Sequence, residues 1–264
     1  MMPETSLHSL QVNSTSKCCP SCNGTFWITK FDDNGYEIAV RCKCFKGEQS
    51  QRRLRFAELP KAYTGMKLEN FSHDVYQSSA TRKQIAMVKE SASVYVTRYK
   101  EMLKAGHGLY LYSKTKGSGK TRLAVSIANE LLDKKVKVKF ATSTKILQEI
   151  KRSWDGQTGY TESSLLDDLI TVELLIIDDF GTEKVSDWVN EKFYHIVNER
   201  YINKRPTIFT SNDHLNDLTY NDRITNRIKE QSFIIHFPEE SIRNYIATDN
   251  TKEMARMIVA ERET

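Results

Sequence analysis

Two patterns of apolar residues alternate along most of this chain. Short, nearly continuous apolar runs are typical of buried β-strands, and apolar residues that recur every three or four positions are typical of helices. The predicted strands cover residues 109–112, 136–141, 174–179, 207–212 and 233–237. The predicted helices cover 81–103, 121–132, 143–152, 162–169, 187–203 and 219–229, with a polar helical segment after 239. This alternation predicts an α/β fold with a parallel sheet between two layers of helices.

A glycine-rich loop joins the strand at 109–112 to the next helix. Strand, Gly-Ser-Gly-Lys-Thr and helix form the phosphate-binding loop of P-loop nucleotidases, in which N–H groups and the helix N-terminus point at the anion. Lys120 is predicted to contact the β- and γ-phosphates of ATP, and the Thr121 hydroxyl to hold Mg²⁺. Lys114 stands where this motif normally has its first glycine, so a plain polar loop is the alternative. The predicted nucleotide-binding residues of the loop are Gly117, Ser118, Gly119, Lys120, Thr121 and Arg122.

Two carboxylates end the most apolar strand. Asp178 and Asp179 follow Leu-Leu-Ile-Ile, and α/β proteins bind ligands beyond the carboxyl ends of their parallel strands. Asp178 is therefore predicted to coordinate the Mg²⁺ that Thr121 holds, and Asp179 to orient or deprotonate the attacking water. Asn212 ends another strand in the same way. It could hold that water, and a turn-forming asparagine is the plain alternative.

Composition limits the size of the fold and the classes of function. The 264 residues are 39% hydrophobic and 28% charged, which suits one good core and a small appendage. No stretch approaches the roughly 18 consecutive apolar residues of a membrane span, and the polar first residues lack the features of a secretory signal. We therefore expect a cytoplasmic protein without a membrane partner. The net charge of +5 permits a nucleic-acid partner but does not require one.

All five cysteines lie between positions 18 and 44. In a reducing compartment, clustered cysteines favour a metal site over disulfides. Cys19 and Cys22 precede a predicted hairpin with its turn at 33–35, and Cys42 and Cys44 follow it. These four thiolates are predicted to bind Zn²⁺, which would stabilise a segment too small for its own hydrophobic core. Reduced thiols or a redox pair are the alternatives, and Cys18 is left over.

These features divide the chain into four parts. We predict a flexible tail at 1–16, a zinc-binding module at 17–46, a basic linker at 47–80 and a nucleotide-binding core at 81–264. The linker contains Arg52, Arg53 and Arg55, which could contact phosphates but also fit an ordinary solvated helix face.

Four motifs, in sequence order, resemble a single family. They are Gly117-Ser-Gly-Lys-Thr121, the strand that ends at Asp178-Asp179, Thr210-Ser-Asn212, and the pair Arg223 and Arg227. Together they look like the AAA+ ATPases of the bacterial replicative-helicase loaders, the DnaC/DnaI group, which is related to the IstB transposition ATPases. The resemblance covers about residues 60–245, and the cysteine module is similar to that of DnaI-type loaders, many of them phage-encoded. It implies a P-loop AAA+ core, and the short chain after Arg243 predicts no full helical lid.

The resemblance also implies roles for further polar residues. Asn212 would be the first sensor of the γ-phosphate, and Arg243 a second sensor. Arg227 would be the arginine finger that enters a neighbouring subunit's site, with Arg223 beside it; surface arginines on a helix are the alternative. Single-stranded DNA contacts would fall on the helix at 143–152. Cations beside an aromatic residue suit strand binding but also occur on ordinary exposed helices; the candidates are Lys145, Lys151 and Arg152, with Trp154.

The resemblance predicts an ATPase that uses ATP, Mg²⁺ and Zn²⁺ and loads a hexameric replicative helicase onto single-stranded DNA. ATP-dependent self-association is implied as well. Lys114 in the loop, and Asp179 where most AAA+ enzymes have the longer glutamate, both predict slow turnover. A transposition accessory ATPase and a helicase-binding adaptor with little hydrolysis are the alternatives.

Overall fold

The computed structural model describes residues 19–23, 25–33, 35–44, 57–155 and 160–262. The predicted tail, Cys18 and the three linker arginines lie outside these ranges. The chain divides into two units, Met1–Arg52 and Arg53–Thr264, which are described separately. Within the described ranges, no helix has the length and apolar character needed to cross a membrane.

The first unit contains the predicted hairpin. Strand β1 (Trp27–Phe31) pairs antiparallel with β2 (Glu37–Arg41), and Thr29 lies opposite Ala39. In the turn, the Tyr36 N–H donates to the Asp32 carboxylate over 2.8 Å, and Gly35 adopts a positive φ of 81°. Among the described residues of this unit, only the Cys22 and Cys42 side chains are buried. The hairpin therefore has very little apolar packing of its own.

The second unit is built on a parallel sheet. The described strands are β3 (Gly108–Tyr112), β4 (Val138–Thr142), β5 (Leu174–Asp178), β6 (Thr207–Ser211) and β7 (Ser232–His236). Their order is β4-β5-β6-β3-β7, and every neighbouring pair is parallel. All five residues of β5 are buried because helices cover both faces of the sheet. The order places the ends of β5, β6 and β3 beside one another.

Helices form the two outer layers of this unit. Their bounds are α1 (Ser79–Thr97), α2 (Tyr99–Ala105), α3 (Lys120–Asp133), α4 (Ser143–Arg152), α5 (Glu162–Thr171), α6 (Asp187–Ile202), α7 (Asp222–Gln231) and α8 (Arg243–Arg262), with 3₁₀ turns at Lys61–Tyr63, Ser153–Asp155 and Leu215–Asp217. Apolar residues of α1 and α3 pack on one face of the sheet, and those of α4 to α7 on the other. The predicted three-layer α/β fold is confirmed.

The prediction of one continuous helix over residues 81–103 was wrong. The structure has two helices that meet at Arg98, whose φ of −97° and ψ of 22° leave the helical range. This change of direction buries Tyr99, whose ring lies 6.0 Å from that of Tyr95. The apolar periodicity continues through the break, so the pattern alone did not reveal it. The helix predicted from 219 begins at Asp222, because the Asn221 side chain accepts the Arg223 N–H and caps it.

The described part of the predicted linker packs against the core of the second unit. Ala57, Leu68, Phe71 and Tyr76 are each at most 7% exposed. Phe71 and Tyr76 belong to the same apolar cluster as α1 and α3. These positions were predicted as linker because the basic, polar residues 46–55 that precede them are typical of a linker.

Candidate nucleotide-binding site

The glycine loop turns sharply between β3 and α3. Gly117 and Gly119 have positive φ angles of 82° and 100°, a backbone region that favours glycine. A Cβ atom on Gly119 would lie 2.7 Å from the Tyr76 hydroxyl, which itself donates to the Ser118 carbonyl over 2.7 Å. Tyr76 thus supports the loop from behind. Sequence reasoning missed this residue because it lies 42 positions upstream.

Lys120 is held inside the loop. Its ammonium donates to the carbonyls of Ser113 and Thr115, both over 3.1 Å, and lies 3.3 Å from the Ser118 hydroxyl. The residue is 6% exposed. Burial lowers the pKa of Lys120, and the nearby carboxylates, Asp179 first, oppose that effect. The ammonium is therefore positioned at the place where phosphate oxygens bind in a P-loop.

Thr121 and Asp178 meet as predicted. The Thr121 hydroxyl donates to the Asp178 carboxylate over 2.8 Å, and the Thr210 hydroxyl donates to the same oxygen over 2.6 Å. Burial raises the pKa of Asp178, while these two hydrogen bonds act to lower it. Carboxylate and hydroxyl oxygens are the hard donors that Mg²⁺ prefers, so the residues present fit this ion.

The backbone of Asp179 is bent. Its φ is +54°, and its N–H donates to the Thr210 hydroxyl over 3.0 Å. Its side chain is exposed and lines a cleft of about 550 Å³ together with Asn212. The ends of β5 and β6 thus bring the two predicted water-binding residues to one place.

The same cleft brings together most of the predicted nucleotide-binding residues. Its lining also includes five residues that were not among the predicted site residues: Tyr63, Lys116, Thr182, Ile242 and Ile246. The predicted residues in its lining are Gly117, Ser118, Gly119, Lys120, Thr121, Arg122, Asp178, Asp179, Asn212 and Arg243.

Arg243 begins α8 directly above the loop. Gly117 lies so close to the Arg243 side chain that an added Cβ would come within 2.8 Å of it. The Ile242 N–H donates to the Gly117 carbonyl over 3.0 Å. Arg243 therefore lies beside the phosphate-binding loop, and its role as a second sensor stays a prediction.

A carboxylate that sequence reasoning missed holds the start of the loop. The Glu239 carboxylate accepts the Lys114 N–H over 3.0 Å, the Thr115 N–H over 2.7 Å and the Ser113 hydroxyl over 3.0 Å. Lys114 does not have the positive φ that would require glycine at this position. Its ammonium lies 3.5 Å from Asp217 at the surface. The missing first glycine therefore causes no backbone strain.

Arg223 and Arg227 lie outside this cleft, on α7. The Arg227 guanidinium donates to the Asn198 side chain over 2.7 Å and lies 5.2 Å from the centre of the Tyr201 ring. Arg223 is exposed. Their predicted action on a neighbouring subunit stays a prediction.

The predicted DNA-binding cations make contacts within the chain. Lys145 and Arg152 both pair with the buried Glu149 carboxylate, at 3.2 and 2.8 Å. The Lys151 ammonium lies 4.9 Å from the centre of the Trp188 ring. The Trp154 indole donates to Glu162 and is 54% exposed. The three cations lie on α4, where Lys151 and Arg152 are exposed and Lys145 is half-buried, and their DNA contacts stay a prediction.

The four predicted zinc ligands cluster in the first unit. The sulfur atoms of Cys19, Cys22, Cys42 and Cys44 all lie within 4.8 Å of one another. The distance is 3.8 Å from Cys19 to Cys42 and 3.4 Å from Cys22 to Cys44. Tetrahedral Zn²⁺ with bonds of about 2.3 Å separates its sulfur ligands by roughly 3.8 Å. The donor set and its spacing therefore fit zinc.

A glycine loop at a helix N-terminus, with a buried lysine and a strand-end carboxylate beside its threonine, defines a P-loop ATP-binding protein. Comparison with known families is more specific. Residues 41–248 match the family of IstB-like ATP binding proteins, and the chain belongs to that family.

Named relatives support the resemblance inferred from the motifs. The replicative helicase loader DnaC of Escherichia coli K12 is 26% identical over 197 residues, covering 69% of this chain and 78% of DnaC. A crystal structure of DnaI matches with a TM-score of 0.55 and 26% identity, covering 73% of this chain and all of that one. The replication initiator DnaA bound to AMPPCP and single-stranded DNA matches with a TM-score of 0.56 and 20% identity, over 74% of this chain and 56% of DnaA. The likeness to DnaA concerns the fold alone.

Proposed function

We propose that this protein is an ATP-dependent loader that places a hexameric replicative helicase on single-stranded DNA. One observation carries the proposal: the Lys120–Thr121–Asp178 cleft lies within the stretch that is similar to proteins named replicative helicase loaders. A further proposal is that the protein hydrolyses ATP.

The side chains of the cleft supply the groups that hydrolysis needs. On ATP binding, the Lys120 ammonium exchanges its carbonyl contacts for β- and γ-phosphate oxygens. Thr121 and Asp178 would hold Mg²⁺, which would supply positive charge beside the phosphate oxygens. Asn212 orients the attacking water, and the exposed Asp179 carboxylate accepts its proton.

Hydrolysis then depends on assembly. Arg227 lies outside its own chain's cleft, so it would complete the cleft of a neighbouring copy. An arginine finger can raise turnover by roughly 10³–10⁵. This arrangement makes the ATP-bound assembly the active form.

The hairpin unit suits a protein partner better than DNA. Its described residues carry three basic side chains (Lys30, Arg41, Lys43) and three acidic ones (Asp32, Asp33, Glu37), so its charge is balanced apart from the cysteines. Trp27, Phe31 and Tyr36 are 46%, 74% and 71% exposed. We propose that this aromatic surface binds the helicase, while α4 of the second unit contacts the DNA strand.

The first experiment identifies the protein partner. The tagged full chain, with ATP, is used to capture proteins from a host lysate, which are then identified by mass spectrometry. Capture of the replicative helicase, followed by ATP-dependent strand displacement on circular single-stranded DNA with purified helicase, supports the proposal. Capture of a transposase instead overturns it in favour of a transposition accessory protein.

The second experiment measures ATP turnover with DNA and helicase present. Lys120→Ala and Asp179→Ala should each lower turnover by at least about a hundredfold, and Lys104→Ala, an exposed lysine on α2, is the matched control. Wild-type turnover at background would favour the adaptor function.

Mixing Arg227→Ala with Lys120→Ala chains should restore part of the activity, because one intact cleft then faces one intact arginine finger. No rescue at any ratio contradicts the action of Arg227 on a neighbouring subunit.

A further inference from the structure

The carboxylate of Glu183 anchors the loop that follows Asp179 to neighbouring parts of the core. The Ser143 hydroxyl contacts one of its oxygens, and the Tyr220 hydroxyl contacts the other. The Gly181 N–H also donates to it, over 3.3 Å. Burial raises the pKa of Glu183, and the hydrogen bond from Ser143 acts in the opposite direction. A buried carboxylate is unfavourable unless its hydrogen bonds compensate. Here two of them come from distant segments, and the Gly181 N–H supplies the third from the same loop.

The first segment is the start of α4. Ser143 is fully buried and is the first residue of that helix. Besides contacting Glu183, its hydroxyl lies 3.1 Å from the Asp179 carbonyl. The residue that anchors Glu183 therefore also contacts the main chain of Asp179. The helix it begins carries Lys145, Lys151 and Arg152.

The second segment leads into α7. Tyr220 is 5% exposed, and its ring stacks on Phe180 at 4.6 Å with an angle of 5° between the rings. Phe180 directly follows Asp179. The next residue, Asn221, caps the helix that carries Arg223 and Arg227. Tyr220 thus connects the arginine-bearing helix to the loop after β5.

The loop that carries Glu183 begins with the bend at Asp179. Its φ of +54° is uncommon for residues other than glycine, although aspartate adopts it more readily than most. The N–H donates to the Thr210 hydroxyl, and the carbonyl accepts from the Thr182 hydroxyl over 2.9 Å and lies 3.1 Å from the Ser143 hydroxyl. Moving Ser143 or the loop after Asp179 would therefore turn the carboxylate that faces the cleft.

We infer that Glu183 is a positioning residue, which holds the Asp179 carboxylate in position to contact the attacking water. Glu183 also couples Asp179 to the first turn of α4 and to the segment before α7. Glu183 does not line the cleft. Because this role rests on the proposed hydrolysis at Asp179, wild-type turnover with and without single-stranded DNA is measured first. If the wild type does not hydrolyse ATP, the proposed function fails before Glu183 is tested.

The decisive variant is Glu183→Ala, which removes the acceptor shared by Ser143 and Tyr220. A displaced water-activating group lowers turnover and leaves nucleotide binding in place, so kcat should fall at least about tenfold while KM for ATP changes less than about threefold. Glu183→Gln still offers an oxygen to Tyr220 and an amide to Ser143, so it should recover most of the loss. Glu191→Ala, on the exposed side of α6, is the matched control.

Two milder variants separate the two connections. Ser143→Ala should bring the ratio of turnover with DNA to turnover without DNA close to one, since it cuts the link to α4. Tyr220→Phe should keep that ratio but weaken the dependence of turnover on protein concentration, which reports contact between subunits. The inference is overturned if Glu183→Ala keeps the wild-type kcat, or if KM rises in step with the loss of kcat and the glutamine variant gives no recovery. It is also overturned if Ser143→Ala keeps full DNA stimulation.

Discussion

The nucleotide cleft and the cysteine cluster gather their groups by different physical means. In the cleft, the parallel sheet aligns Asp178 and Thr210 at neighbouring strand ends beside the loop that leads to Lys120, and buried β5 residues fix the alignment. In the hairpin unit, the four thiols flank two strands whose side chains are mostly exposed, and only Cys22 and Cys42 are buried among the described residues. The nucleotide cleft takes its geometry from a packed core. For the cysteine cluster, we expect a bound ion to hold the geometry.

Removal of zinc is expected to give the largest effect. Binding of structural Zn²⁺ contributes on the order of 10 kcal/mol to the folding of such modules, whereas the sheet of the second unit does not depend on it. Zinc removal by a strong chelator, or Cys22→Ser, should abolish protection of amides 27–41 in hydrogen exchange. The unfolding midpoint of the second unit should not change.

The fifth cysteine offers a control for this prediction. Cys18→Ser should keep one zinc per chain by elemental analysis, because Cys19, Cys22, Cys42 and Cys44 already supply the four ligands of a tetrahedral site. Protein purified without chelator that contains no zinc, or hairpin amides that stay protected after its removal, would remove the zinc site.

The two sites also differ in how far sequence reasoning could go. Lys120, Thr121 and the four cysteines were predictable because each motif is short and its chemistry is local. The groups that hold the motifs in place are distant: Glu239 lies 124 positions from Thr115, and Glu183 lies 40 from Ser143. The burial of Arg200 was not predicted either, since an arginine near a helix end usually faces water. Here it is 1% exposed and donates to the carbonyls of Leu169, Ile170, Val172 and Pro206 and to the Thr207 hydroxyl. Such contacts depend on strand order, which periodicity does not reveal.

A single hydroxyl tests how far the cleft depends on strand alignment. Thr210→Val keeps the shape of the side chain but removes the donor to Asp178 and the acceptor for the Asp179 N–H. Leaving these buried groups unpaired should cost about 1–3 kcal/mol of unfolding free energy. Misplacing a metal-binding carboxylate should weaken Mg²⁺–ATP binding by about 10–100-fold. Thermal unfolding and calorimetric titration measure the two effects.

The serine variant at the same position is the control. Thr210→Ser restores the hydroxyl and should bind Mg²⁺–ATP nearly as the wild type does. If the valine variant binds as tightly as the serine variant, the hydroxyl has no part in the site.

The smallest effect is expected at Glu239, where the loop is held at the surface. Glu239→Gln keeps the size of the side chain but loses the charge that the Lys114 and Thr115 N–H groups face. The carboxylate is 43% exposed, so solvent screens its charge. The loss of ATP-binding free energy should therefore be below about 1 kcal/mol, which corresponds to a rise in the ATP dissociation constant of at most about fivefold. Glu240→Gln is the matched control, since its carboxylate binds Gln77 and Thr81 and not the loop.

The pH dependence of stability distinguishes this charge from a neutral contact. Partial burial raises the pKa of Glu239, but the hydrogen bonds from His236, Lys114 and Thr115 outweigh it and hold the pKa at about 2, below the ordinary 4.5. A carboxyl with a lowered folded-state pKa stabilises the folded state above its unfolded value and loses that contribution as the pH falls. The difference in unfolding midpoint between wild type and Glu239→Gln should therefore be constant above about pH 4.5 and shrink as the pH falls towards 2. A difference that stays the same across this range would show that the carboxylate acts through its shape and not its charge.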